Sequence, residues 1–211
     1  EMRELRDCVS GIHSTVHLCC GAGRHVAAFA GLGIASIGID ISSALLWKAR
    51  EALYPQPSGQ APRLVLGDAI LLPFKERSSE CVTLLGNSLC LFPEDRCKQL
   101  LAEVARILTP KGLFIVDVPD PDYLKYQGMD TRKTTQTIQT QTLGEIQWTW
   151  VRQADPQRRL LISEESVQPK GAKRASAMKT LRFEFHLYEP QKACAMSESF
   201  GLRLERFLAC E

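Results

Sequence analysis

The sequence predicts an α/β protein built on a doubly wound, mostly parallel sheet, with an antiparallel β sheet inserted into it. Three observations carry that expectation. Through the first half of the chain, short apolar runs end in Gly or Asp and are followed by segments of helical periodicity. The run Leu113 to Val118 has no polar residue before Asp117, the pattern of a central strand covered on both faces. After Pro119 the pattern changes to the two-residue alternation of half-buried antiparallel strands.

The first strand is expected at Thr15 to Leu18, leading into Cys19-Cys20-Gly21-Ala22-Gly23 and a helix from Arg24 to Ala30 that Gly31 to Gly33 closes. Ala35 to Ile39 is the second strand and ends at Asp40. Ser42 or Ser43 then caps a helix reaching about Leu53. A Pro/Gly/Ser loop from Tyr54 to Pro62 precedes a third strand, Leu64 to Leu66, ending at Gly67-Asp68. The fourth, Val82 to Leu85, ends at Gly86-Asn87. Helix Asp95 to Leu108 carries an apolar stripe at Leu100, Leu101, Val104, Ile107 and Leu108, and Pro110-Lys111-Gly112 breaks it before the fifth strand.

Beyond Pro119, strands are expected at Thr134 to Thr142, Glu145 to Arg152, Arg159 to Val167 and Lys179 to Tyr188, with a turn at Asp155-Pro156 and a loop at Pro169 to Ser176. Ile146, Trp148 and Trp150 share one strand face, as do Leu181, Phe183, Phe185 and Leu187. Helix Glu189 to Phe200 and a strand at Leu202 to Leu208 return the chain to the main sheet, with no residues left for a further antiparallel strand. The expected organisation is therefore a core at 1–120, an insertion at 121–188 and a return at 189–211.

Composition narrows the class. With 211 residues and 45% hydrophobic content, the chain can bury one sizeable core and a smaller layer. A net charge of +2, from 26 basic and 24 acidic residues, argues against nucleic acid as partner. No apolar run approaches the roughly 20 residues of a membrane span, and Glu1 to Val9 lacks a secretory apolar stretch, so a cytoplasmic setting is expected. Eight cysteines without a CxxC pair, and four histidines without ligand spacing, predict reduced thiols and no metal site.

The chemistry is expected at the strand ends. A glycine turn between the first strand and a helix lets the backbone approach a ligand closely and aims free N–H groups at it, a role that Gly21 and Gly23 fit. Asp40, 17 residues after Gly23, stands where a carboxylate accepts both ribose hydroxyls of an adenosyl group. Val26 replaces the third glycine of a dinucleotide fingerprint, which weighs against NAD. The alternative use of Asp40 and Asp68 is as helix caps or turn formers. For Cys19 and Cys20 it is packing, and for Trp148 and Trp150 it is the core of the inserted sheet.

The segments Leu18-Cys19-Cys20-Gly21-Ala22-Gly23-Arg24-His25, Gly38-Ile39-Asp40-Ile41-Ser42, Gly67-Asp68-Ala69 with Leu72-Pro73-Phe74, and Leu101 to Gly112 resemble, in order and spacing, the class I S-adenosylmethionine (SAM) dependent methyltransferases. Gly86-Asn87-Ser88-Leu89 and the inserted sheet resemble the small-molecule members of the glycine N-methyltransferase type. The resemblance implies a Rossmann-like fold and SAM as cofactor, held by His17, Cys20, Gly21, Gly23, Asp40, Ile41, Asp68, Ala69 and Asn87. In the family the aspartate matching Asp68 bonds the adenine amino group. It further implies methyl transfer to an amine or hydroxyl of a small molecule, with Asn87, Tyr123, Trp148 and His186 as substrate candidates and the inserted sheet as a lid. No obligatory catalytic residue is assigned. Tyr126 and His25 are weaker candidates. Association of copies is expected through the lid or the open sheet edge. One departure stands out: His17 occupies a position that is usually Asp or Glu in the family. It either substitutes as a polar contact or marks a decayed, non-catalytic binding module. RNA or protein methylation is the remaining alternative, and the missing Asn/Asp-Pro-Pro-aromatic tetrapeptide argues against base methylation.

Overall fold

The structure is a computed structural model and describes residues 2–54, 61–119, 132–140, 144–155, 157–170 and 179–208. In chain order the elements are α1 (Met2–Cys8), β1 (Ser14–Leu18), α2 (Arg24–Ala30), β2 (Ala35–Asp40), α3 (Ser43–Leu53), β3 (Arg63–Leu66), β4 (Ser79–Leu84), a 3-10 turn (Ser88–Leu91), α4 (Glu94–Ile107) and β5 (Leu108–Val116). The antiparallel strands β6 (Arg132–Thr140), β7 (Gly144–Asp155), β8 (Leu160–Pro169) and β9 (Lys179–His186) follow, and then α5 (Pro190–Glu198). The chain clusters into two compact units. One comprises Glu1–Leu89, Pro93–Val118 and Pro190–Glu211, the other Cys90–Phe92 and Pro119–Glu189.

The first unit holds a five-stranded sheet of order β3-β2-β1-β4-β5, with every pair parallel. The chain runs from β1 outward to β2 and β3, then crosses to β4 on the other side of β1. That reversal makes β1 and β4 the topological switch point, at whose carboxyl ends ligands of doubly wound sheets bind. Burial follows position in the sheet. In β4, Cys81, Val82, Thr83 and Leu84 are at most 1% exposed, as expected of a central strand. Leu5, Val9, Phe29, Ile34 and Leu85 form one apolar cluster, and Val26, Ala49 and Leu53 another. Helix α1, which the charged N-terminal sequence does not announce, contributes Leu5, with Val9 following it. Ser42 caps α3, its hydroxyl accepting from the Leu45 N–H at 3.3 Å.

Two expectations for this unit are corrected. Pro110-Lys111-Gly112 does not separate helix from strand, because β5 begins at Leu108 directly after α4. The extra residues form an irregularity in the β4–β5 pairing, where Ser79 faces Leu108 but Cys81 already faces Leu113. A bulge in an edge strand is where a proline without an N–H is tolerated. The second correction concerns Leu202 to Leu208, which forms no strand and leaves Leu204 and Phe207 exposed. Its apolar alternation fails at the adjacent Phe207-Leu208, and Arg203, Glu205 and Arg206 favour solvent.

The second unit is a sheet of order β6-β7-β8-β9, antiparallel throughout. Residues directly opposite in such a ladder share a face. Ile146, Trp148 and Trp150 therefore share theirs with Val167, Glu165, Leu181, Phe183 and Phe185. After β7 the Asp155 carboxylate accepts the Arg158 N–H at 3.0 Å, an Asx turn. The Tyr188 hydroxyl donates to the Phe92 carbonyl at 2.7 Å and ties residues 90–92 to this unit. Tyr123 and Tyr126, and most of the expected loop Pro169 to Ser176, lie outside the described residues.

Candidate functional site

The site is assembled from the ends of β1, β2, β3 and β4. After Leu18 the backbone turns through left-handed conformations at Cys19 (φ 50°), Gly21 (φ 55°) and Gly23 (φ 82°) before entering α2. Gly23 is required twice over: its φ favours glycine, and a Cβ there would stand 3.1 Å from both Ala49 Cβ and Leu53 Cδ1. Gly21 differs, since a Cβ built on it would meet nothing within 4 Å, so the crest of the turn is open.

Asp40 binds this turn to its neighbours. Its Oδ2 accepts the Gly21 N–H and its Oδ1 the Ser42 N–H, both at 2.8 Å, while its backbone carbonyl accepts the Gly67 N–H at 3.0 Å. Cys20 donates its N–H to the Ile39 carbonyl at 3.0 Å. Asp68 lies one residue beyond Gly67. Its Oδ1 accepts the Ile70 N–H at 3.1 Å, and its Oδ2 meets Arg96 of α4 at 3.4 Å. Ile41 beside Asp40 is 73% exposed, whereas Ala69 is buried. Electrostatics agree with the convergence. Burial pushes the Cys19 thiol up to about 12, and both Asp40 and Asp68 add to the effect. Burial and Asp40 likewise push Cys20 up to about 12. Neither thiol is a nucleophile at neutral pH.

His17 lies in β1, 1% exposed, with its ring edge-on to Phe29 at 4.8 Å. Its Nδ1 shares a 2.7 Å hydrogen bond with the Thr83 hydroxyl, and its Nε2 has no partner. Burial, assisted by His25, pushes its pKa down to about 3, so the imidazole is neutral at physiological pH. Asn87 stands at the end of β4 with φ 59°. Asp117 fixes that corner, its Oδ1 accepting the Asn87 N–H and its Oδ2 the Gly86 N–H, both at 2.9 Å.

The structure thus brings Cys20, Gly21, Gly23, Asp40, Ile41, Asp68 and Ala69 to one edge of the sheet. The substrate candidates are less unified. Trp148 on β7 and His186 on β9 fall on opposite faces of the antiparallel sheet, because His186 pairs with Leu160 and Trp148 with Val167. Tyr123 lies outside the described residues. Sequence reasoning missed Asp117, read only as an interruption of the fifth strand, and the pair Glu103–Arg106. Arg106 donates to the carbonyls of Leu72 (3.0 Å) and Phe74 (2.7 Å), Glu103 accepts the Leu72 N–H (2.7 Å), and the two bond each other at 2.7 Å. They hold the loop that follows Asp68. No group of His, Cys, Asp and Glu among the described residues is arranged to hold a metal, no disulfide joins the described cysteines, and no described helix is long and apolar enough to cross a membrane.

Residues 16–112 match the methyltransferase domain family. No curated protein matches the chain. Among solved structures, the chain is similar to the CcbJ methyltransferase of Streptomyces caelestis, with a TM-score of 0.77 and 23% identity over 97% of this chain and 80% of that one. It is also similar to the sugar N-methyltransferase KedS8 of Streptoalloteichus sp, with a TM-score of 0.73 and 16% identity over 97% of this chain and 77% of the other. A third is SAM-bound CalS10 of Micromonospora echinaspora, an amino pentose methyltransferase (TM-score 0.70, 17% identity, 95% and 79% covered). The fold is that of the class I SAM-dependent methyltransferases. The methyltransferase-family match spans the glycine turn, Asp40, Asp68 and the Leu101 to Gly112 segment.

Proposed function

We propose that this chain transfers the methyl group of SAM to an amine or hydroxyl of a small-molecule acceptor, with the cofactor seated at the carboxyl ends of β1, β2 and β3. One observation carries the reading: the hydrogen-bonded run from Gly21 through Asp40 to Gly67, which joins the glycine turn to both aspartates. The residues present fit an adenosyl group. Each Asp40 oxygen accepts a single backbone N–H and retains acceptor capacity for a ribose hydroxyl. Ile41 offers an exposed apolar side chain to the adenine face, Asp68 an acceptor to its amino group and Ala69 its backbone. The open crest at Gly21 leaves room for the rest of the cofactor, whereas His17, buried against Phe29 and Thr83, presents no surface to it.

SAM supplies, when bound, a methyl carbon already activated on a sulfonium for in-line displacement. The protein's part is to position the reactants and exclude water, and no general base is obligatory for it. The similarity to sugar and amino-sugar methyltransferases, two of them named for nitrogen or amino substrates, favours an amine over a hydroxyl acceptor.

The test is a calorimetric titration with SAM and its demethylated product. Asp40→Ala is expected to weaken both by about 1–3 kcal/mol, the cost of unpaired site hydrogen bonds. Unchanged affinity in a variant with a normal unfolding transition removes the ribose role. A second reading, a binding module without catalysis, is favoured by His17, whose neutral buried imidazole replaces a carboxylate. SAM binding without methylation of any amine or alcohol in a donor-consumption assay supports it.

A further inference from the structure

The antiparallel unit carries a carboxylate that the cofactor site does not use. Glu165 of β8 sits directly opposite Trp150 on β7 and Leu181 on β9, and Ser163, two residues before it, sits opposite Phe183. Its Oε2 accepts the Trp148 indole N–H at 3.2 Å and its Oε1 the Ser163 hydroxyl at 3.3 Å. The Trp148 and Trp150 rings lie 4.8 Å apart, tilted by 51°. Both tryptophans and Phe183 are half-buried, and Leu181 is 52% exposed.

The other face of the same sheet shows what this arrangement lacks. There Glu164 and Glu184 both engage Arg182, at 3.5 and 3.3 Å. Among the described side chains, Glu165 accepts from two neutral donors and forms no ion pair, Arg152 lying diagonal to it on the same face without engaging it. A carboxylate set among aromatic rings loses hydration, and a neutral donor does not restore what a counter-charge would. The same rings present negative π faces to a cation. A carboxylate without a counter-ion beside two tilted indoles and a phenyl ring has the chemistry that recognises an organic ammonium. It does not suit an anion or a neutral apolar chain.

We infer that Glu165, with Trp148, Trp150 and Phe183, forms a binding site for an alkylammonium group. The inference stands on this sheet alone and is independent of the methyl-transfer reading above. Ser163 and Trp148 are positioning residues that hold the carboxylate among the rings.

The experiment titrates the full chain, in a Trp47→Phe background that leaves Trp148 and Trp150 as the only tryptophans, with choline chloride and with its neutral isostere 3,3-dimethylbutan-1-ol at matched ionic strength. Choline has no nitrogen lone pair to methylate, so recognition is read apart from turnover. Saturable fluorescence quenching by choline is expected, with the isostere binding roughly tenfold more weakly or not at all, and with Glu165→Gln reducing choline affinity roughly tenfold, the size of a partly desolvated cation–π and ion-pair contribution. Equal response to the two probes, no saturable response, or an unchanged Glu165→Gln variant overturns the site. A parallel calorimetric SAM titration separates the failures. Choline selectivity without SAM binding sinks the methyl-transfer reading and leaves the ammonium site standing; SAM binding without choline selectivity does the reverse.

Discussion

Replacing His17 tests the energetics of the first unit most directly. Its pKa is pushed from 6.5 down to about 3 by burial in β1, with His25 contributing. Between those values the unfolded chain binds a proton at this position that the native protein refuses. Stability therefore falls as pH drops through 6.5, continues to fall toward 3 and changes no further below it. At pH 5 the unfolded imidazole is almost wholly protonated and the native one almost wholly neutral, and the linkage relation gives a loss of about 2 kcal/mol relative to pH 7. His17→Asn keeps a group able to share the Thr83 hydrogen bond but has nothing to titrate. Urea unfolding of both proteins at pH 7 and pH 5 is the assay, each protein compared with itself so that packing lost against Phe29 cancels. The native sequence is expected to lose about 2 kcal/mol more than the variant over this step. Equal losses would refute the claim that this imidazole is held neutral by burial.

Three further substitutions probe the frame of the site. Gly23→Ala places a Cβ 3.1 Å from Ala49 and Leu53 at a φ of 82°, and a loss of about 1–3 kcal/mol is expected in urea unfolding. Arg106→Ala releases the Leu72 and Phe74 carbonyls and leaves Glu103 without its partner, so a loss of about 1–3 kcal/mol is expected together with weaker SAM binding by calorimetry. Stability loss with unchanged SAM affinity would show that the loop after Asp68 needs no such fixing. Asp117→Ala frees the Gly86 and Asn87 N–H groups to solvent, and a modest loss of about 1 kcal/mol is expected, read in the same unfolding experiment.

The fold was legible wherever a local pattern was coupled to burial. Val82 and Leu84 are apolar because β4 is covered on both faces, and Leu181, Phe183 and Phe185 alternate with Arg182 and Glu184 because β9 presents two different faces. Where local chemistry and tertiary pairing conflicted, pairing decided. Pro110 and Gly112 have the composition of a turn, yet they lie within β5, because an edge strand can absorb a bulge there. Leu202 to Leu208 shows the opposite outcome, since its apolar content was read as a strand and no described strand pairs with it.

The site was legible to the extent that its residues are backbone devices. Gly21 and Gly23 could be read because a left-handed turn favours glycine, while Asp40 was open to a turn-forming use as well, and its bond to the Ser42 N–H two residues on is of that kind. Asp117 and the Glu103–Arg106 pair left no such trace. They act on Gly86, Asn87, Leu72 and Phe74 from 30 or more positions away in sequence, and a charged residue on a helix reads as solvated surface until its partner is known. Glu165 makes the same point in reverse. Its alternation with Ser163 and Val167 marks it as facing the apolar side of β8, where a lone charge is costly. A register for β7, β8 and β9 is what turns that anomaly into a place between Trp150 and Leu181, and hence into a question about which cation balances it.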